Sequence, residues 1–169
     1  MGHCEDRYLP RQDRWTHEKK KELAGKPGTV NPAFFEKLHA PFNRLARELK
    51  LADATYIYAL SSHESGWLNE ENTWLNNPFG MTMAGKDNLG FENLGQAFDY
   101  WRCKYGDHVT GAKSMDGFMS GLKLAKYNNA EAYFAHDKWE AQFQSVRRWA
   151  GRYKYVVRDD RGTLVIVPG

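Results

Sequence analysis

Residues 53–67 read DATYIYALSSHESGW, and this stretch decides the fold. Asp53 is a helix N-cap, its short carboxylate suited to the unpaired N–H groups of a first turn. The helix that follows is apolar on nearly every side until Ser61, and a helix apolar all round is a central, buried one. Gly66 supplies its C-cap. A glutamate, Glu64, therefore sits at the end of the most buried helix, beside a glycine and Trp67. A carboxyl there costs free energy unless the site uses it. Desolvation raises the pKa of such a group, and an aromatic wall strengthens the effect. An acid that keeps its proton near neutral pH is what a glycosidase needs to protonate a leaving oxygen. The plain alternative is an exposed helix-end glutamate in a salt bridge.

Outward from that helix the pattern stays mostly helical. Asn31-Pro32 starts a helix, Asn as N-cap and Pro in the first turn. Phe34, Phe35, Leu38, Phe42, Leu45, Ala46 and Leu49 recur at three- and four-residue steps, an amphipathic helix to about residue 50 that Pro41 kinks or divides. Residues 67–92, rich in Asn with Gly and Pro, read as loop and short strands. Helical spacing resumes over Leu94–Tyr105, Met115–Lys126 and about Ala130–Trp149. In the tail, two β-rich runs flank Asp159-Asp160-Arg161-Gly162, a hairpin signal. The class is mainly α (α+β). Residues 1–30 form a polar arm with at most a short helix, 31–152 the main domain, and 153–169 a hairpin packed on that domain.

The chain has 169 residues, 41% hydrophobic and 27% charged, a globular balance that argues against collagen, coiled coil and wholesale disorder. Fourteen per cent is aromatic, which hints at a stacking surface. Lys and Arg number 24 against 21 Asp and Glu, a formal charge of +3. That suits an anionic polymer without identifying one. Arg147, Arg148 and Arg152 form the compact basic cluster of the C-terminal half and read as a helix end rather than a nucleic-acid site. No run of 18 apolar residues occurs, so no membrane insertion is expected. The N-terminus lacks the apolar core of a Sec-type signal. Cys4 and Cys103 either bridge in an oxidising compartment or stay as thiols in the cytosol. His63-Glu64 begins like the zinc motif His-Glu-x-x-His, but position 67 is Trp, so no metal is expected. No phosphate-binding glycine loop occurs, and no cofactor is expected.

A second stretch, Trp74-Leu75-Asn76-Asn77-Pro78-Phe79-Gly80-Met81-Thr82, combines tight-turn residues with flat apolar faces. Side-chain amides beside aromatic planes suit a sugar; the plain reading is an Asn-Pro turn with a buried Phe. HESGW followed by NNPFGMT resembles the ESGWG…NNLFGIK pattern of the family 73 glycoside hydrolases, peptidoglycan-cleaving β-N-acetylglucosaminidases of lysozyme-like fold. Tyr127-Asn128-Asn129-Ala130-Glu131-Ala132-Tyr133 keeps the Tyr-to-Tyr spacing of that family's late Tyr-Ala-Thr-Asp-Pro-x-Tyr element. Leu68 stands where the family usually has Gly, Pro78 replaces Leu, and Ala130-Glu131 replace Asp-Pro.

The resemblance, over about residues 50–150, implies a lysozyme-like helical domain with a small β-lobe before the C-terminal hairpin. It makes Glu64 the general acid and Tyr127 the active-site tyrosine. Asn77, Phe79 and Gly80 would floor a glycan groove, with Trp67 near the acid. The second carboxylate falls in MTMAGKDNLGFEN; Glu92 is taken over Asp87, while Glu70 and Glu71 flank the groove. Substrate assistance by the 2-acetamido group is the alternative. The implied activity is hydrolysis of the peptidoglycan glycan strand after N-acetylglucosamine. A muramidase or lytic transglycosylase would use the same acid, and a non-catalytic glycan-binding domain would need none. A small wall-cutting enzyme without a Sec-type signal resembles an antibacterial type VI secretion effector. That implies action in a target cell's periplasm and a cognate immunity protein.

Overall fold

The computed structural model describes residues 2–8, 17–23, 26–82 and 87–169. It is mostly helical with one small antiparallel sheet, matching the expected class. Helices are α1 (Gly2–Tyr8), α2 (His17–Leu23), α3 (Pro32–Glu48), α4 (Thr55–Glu64), α5 (Glu70–Leu75), α6 (Leu94–Val109), α7 (Met115–Leu124) and α8 (His136–Arg152), with a 3-10 turn at Glu131–Phe134. Strands β1 (Tyr155–Asp160) and β2 (Thr163–Pro168) close the chain. No helix among the described residues is long and apolar enough to cross a membrane. The chain divides into two compact units: Met1–Phe34 with Ser61–Lys104, and Phe35–Leu60 with Tyr105–Gly169.

In the second unit the anchor is a buried polar node. Tyr58 donates to Asn43 Oδ1 (2.8 Å), and Asn43 Nδ2 donates to the Ile166 carbonyl (2.7 Å). One side chain of α3 thus holds β2, and Phe35 stands 5.3 Å from Tyr155 of β1. The hairpin register runs from Tyr155 opposite Pro168 to Asp160 opposite Thr163. Its two-residue turn places Arg161 and Gly162 at φ 58° and 84°, the geometry that matches strand twist. The start of α4 is fixed here as well. Asp53 Oδ1 accepts from the Thr55 N–H (2.9 Å), its other oxygen takes Arg147, and Ala54 N–H donates to the Leu164 carbonyl (2.7 Å).

Helix α3 begins at its expected cap, with Asn31 Oδ1 accepting from Ala33 N–H (2.9 Å). It runs unbroken through Pro41. The carbonyl that Pro41 leaves unbonded belongs to Lys37, an exposed residue, where water can satisfy it.

In the first unit, Cys4 of α1 is disulfide-bonded to Cys103 of α6, with Cα atoms 5.9 Å apart. Tyr100 and Lys104 of α6 both donate to Glu5 (2.8 and 3.3 Å). Among its described residues the arm carries two short helices, where at most one was expected, and of the two states open to the cysteines it has the bridge. Residues 67–92, expected to be loop and strand, contain α5 instead. They also hold a bridge between Thr82 and Asn88; residues 83–86 of the expected β-lobe lie outside the description. The expected helix from Ala130 opens as the 3-10 turn, and α8 starts at His136.

Candidate active site

Every residue of α4 from Thr55 to Ser62 is buried. Polarity enters at Ser61, whose hydroxyl donates to the Pro78 carbonyl at 2.5 Å. The helix end is thereby sewn to the NNPFG loop. Glu64 follows on the last turn, its side chain 24% exposed, with His63 Nε2 3.7 Å from its Oε1. The acid is partly sheltered rather than sealed.

The chain then takes an unusual path. Gly66, Trp67 and Leu68 all have positive φ, at 58°, 58° and 57°. L-residues adopt that conformation singly, and at a cost. Ser65 over-determines the turn. Its hydroxyl donates to Ser61 O (2.7 Å) and accepts from Leu68 N–H (2.8 Å), while its carbonyl accepts from Asn69 N–H (2.9 Å). Trp67 meets Phe34 edge-to-face at 5.0 Å. Asn69 then caps α5 by accepting from Asn72 N–H (2.9 Å).

After α5 the NNPFG loop returns to the glutamate. Asn76 takes a left-handed C-cap (φ 54°) and donates to the carbonyls of Phe91 (3.0 Å) and Glu92 (3.2 Å). Asn77 uses its whole amide inside the loop, donating to Met81 O (2.8 Å) and Leu89 O (3.0 Å) and accepting from Met81 N–H (3.0 Å). Phe79 stacks on Trp101 at 4.8 Å and 15°. Both Asn77 and Phe79 are fully buried. The expectation that their side chains floor a groove is corrected: a ligand meets neither, and they support the loop from beneath. Gly80 has φ 57°, and a Cβ there would stand 2.2 Å from the Glu64 carbonyl oxygen. Only glycine lets the loop touch the backbone of the acid.

The other acids stand apart in character. Glu92 is exposed, and its N–H donates to Gln96 Oε1 (3.1 Å). Glu71 accepts from Asn88 (2.6 Å), and Glu70 pairs with Lys26 (3.2 Å). Glu64, Trp67, Asn77, Phe79, Gly80 and Glu92 all belong to the first unit. Tyr127 belongs to the second, where its ring meets Tyr105 edge-on at 4.6 Å and lies 6.3 Å from Tyr133. Among the described residues no three His, Cys, Asp or Glu side chains converge on a possible metal position.

Sequence reasoning missed the arm. A Cβ on Gly28 would fall 1.7 Å from the Gly66 carbonyl oxygen, so residues 26–30 pass against the turn that follows Glu64. It also missed Ser61 and Ser65 as fasteners. Their signal was present: hydroxyls one turn apart at the end of an apolar helix, where only a partnered polar group is tolerated.

No protein-family model and no curated protein sequence matches this chain. Solved structures do. One is a chain of a type VI secretion system effector–immunity complex from Pseudomonas protegens, 21% identical with a TM-score of 0.58, covering 69% of this chain and 91% of that one. Another is the glycoside hydrolase domain of Salmonella typhimurium FlgJ, 18% identical with a TM-score of 0.50, covering 73% of this chain and 92% of that one. The chain has the fold of these two proteins.

Proposed function

We propose that this chain is a glycoside hydrolase that cuts the glycan strand of bacterial peptidoglycan after N-acetylglucosamine. Glu64 is the general acid. It protonates the bridging oxygen, an oxocarbenium-like centre forms, and water or the 2-acetamido group captures it. Glu92 is the candidate second carboxylate if water attacks directly, and Tyr127 the tyrosine that meets the reacting sugar. Trp67 and Gly80 border the acid, one as an aromatic face and one as a close backbone approach.

One observation carries this reading. A partly exposed carboxylic acid ends a helix that is buried from Thr55 to Ser62, and its own backbone is clamped by Gly80 and by the left-handed turn at 66–68. A proton donor needs that combination of fixed backbone and reachable side chain. The fold shared with a glycoside hydrolase domain supports the reaction class. The fold shared with a chain of an effector–immunity complex supports a role as an antibacterial effector with a cognate immunity protein. Such an effector acts in the periplasm of a target cell. The Cys4–Cys103 bridge suits that oxidising compartment.

The test is digestion of purified sacculi followed by mass spectrometry, beside Glu64→Gln. The expected products are muropeptides with reducing-end N-acetylglucosamine, formed about 10² to 10⁴ times more slowly by the variant. Reducing-end N-acetylmuramic acid would mean a muramidase, and anhydro-sugars a transglycosylase. Equal turbidity loss by wild type and variant would overturn the mechanism.

A further inference from the structure

We propose that His63 is a positioning residue for Glu64: its imidazolium faces the carboxyl, makes Glu64 a stronger proton donor and sets the pH above which that proton is lost. This rests on the reading of Glu64 as the general acid and deepens it from the acid to its control.

The contact is not a consequence of adjacency. Consecutive residues of a helix do not face each other, and both residues lie in α4. Yet His63 Nε2 stands 3.7 Å from Glu64 Oε1, so the two side chains turn toward each other at the last turn. That distance is too long for a hydrogen bond and short enough for an ion pair. The side chains are 36% and 24% exposed. They are open enough to exchange protons with water and sheltered enough for each to feel the other's charge.

The setting favours the cation on His63. It stands in the last turn of α4, where the negative end of the helix dipole stabilises an imidazolium. The elements around the end of α4 add charges mostly of the opposite sign. Residues 66–68 and 76–82 carry none. Residues 26–30 bring Lys26, which pairs with Glu70 (3.2 Å). Helix α5 brings Glu70 and also Glu71, which accepts from Asn88 (2.6 Å). Residues 87–92 bring Asp87 and Glu92. Among the described residues these amount to one ammonium against four carboxylates. They favour a cation at His63 and oppose an anion at Glu64, and His63 itself acts on Glu64 in the other direction.

An imidazolium at this distance does two things. It favours the carboxylate over the carboxylic acid, so Glu64 gives up its proton at lower pH. It also stabilises the carboxylate that forms as the proton passes to the bridging oxygen, so the protonated acid reacts faster. The glycosidic bond breaks with its electron pair on that oxygen, the proton of Glu64 ends there, and His63 keeps its own proton throughout.

The test compares the full oxidised chain with its His63→Gln, His63→Lys and Glu64→Gln variants. The alkaline fall of kcat/KM on sacculi reports loss of the acid's proton. In His63→Gln it should move upward by about one pH unit, the lower end of what a neighbouring charge does, as suits a pair this exposed. The plateau at lower pH should drop severalfold. His63→Lys keeps a cation and should keep the fall near its wild-type pH. NMR reads the pair without the reaction. The Glu64 carboxyl carbon should titrate at higher pH in His63→Gln. The His63 ring should titrate at lower pH in Glu64→Gln, by the same amount, because coupling between two sites is reciprocal. Equal Glu64 midpoints in wild type and His63→Gln, or a shift in His63→Lys as large as in His63→Gln, overturn the proposal. If the wild type cuts no sacculus, the glycosidase reading fails, and the two NMR midpoints still decide the pair.

Discussion

Gly80→Ala separates two effects that a glycine can hide. The new methyl group would stand 2.2 Å from the Glu64 carbonyl oxygen and 3.0 Å from its carbonyl carbon. Carbon meets carbonyl oxygen at about 3.3 Å or more, so roughly 1 Å of separation must be found. Both neighbours are backbone, and one of them is the backbone of the proposed acid. The variant also pays for a left-handed residue, about 1–2 kcal/mol. Gly111→Ala pays that cost alone: its φ is 77°, and a Cβ there meets nothing within 4 Å. For a chain of this length 1 kcal/mol moves Tm by about 2–4 °C. Gly111→Ala should therefore lose about 2–8 °C and keep its activity. Gly80→Ala should lose more, with overpacking adding about 1–3 kcal/mol. Its kcat/KM should fall about 10²-fold, the cost of a 1 Å misplacement at a reacting group. Thermal melts and sacculus turbidity assays on both variants give the comparison. Equal activity in the two alanine variants would refute the claim that Gly80 sets the position of Glu64.

Two further outcomes follow from other contacts. The Cys4–Cys103 bridge spans 99 residues, and closing a loop of that size constrains the unfolded chain by up to about 4.7 kcal/mol. Reductant, or Cys4→Ser with Cys103→Ser, should lower Tm by up to about 10–20 °C; a shift under about 2 °C would show that the bridge adds no stability. The hydrogen bond and charge of Asp116 hold the pKa of His136 above its ordinary 6.5. The stability from this pair is then complete below about pH 6.5 and lost as pH rises through the raised value. An NMR titration midpoint at or below 6.5 would contradict it, and His136→Ala should remove that part of the pH dependence.

Helix α4 was legible because an apolar run capped by Asp53 admits few other readings, and the hairpin because two β-rich runs flank a polar, glycine-bearing turn at 159–162. Helix α5 was not. It has six residues, with Trp74 and Leu75 its large apolar ones, too few for a period to show. Its signal was in the caps instead: Asn69 before Glu70-Glu71, and Asn76 after Leu75. Of the two effects expected of Pro41, division of α3 does not occur, because the cost of the missing bond depends on whether the freed carbonyl faces water. Asn77 and Phe79 were legible as a pair but misplaced in role. Amide and ring chemistry reads the same whether a side chain faces a sugar or its own loop, and only burial separates the two.

The run at 66–68 shows how the candidate site is held. Trp67 and Leu68 each accept a left-handed backbone that costs about 1–2 kcal/mol outside glycine. Leu68 does so where the resembled pattern carries glycine. Burial of its side chain, 7% exposed, offsets part of that cost. So do the Ser65 hydroxyl that accepts its N–H and the Thr73 hydroxyl that donates to its carbonyl (2.9 Å). On the far side Gly28 presses against Gly66 with no room for a methyl group, and Lys26 pairs with Glu70. Strain at such a turn persists only where its surroundings over-determine it. Here they do so through backbone and hydroxyl contacts on either side of Glu64. The part of the sequence with the fewest chemical motifs, residues 26–30, is thus one of the walls that fixes the acid.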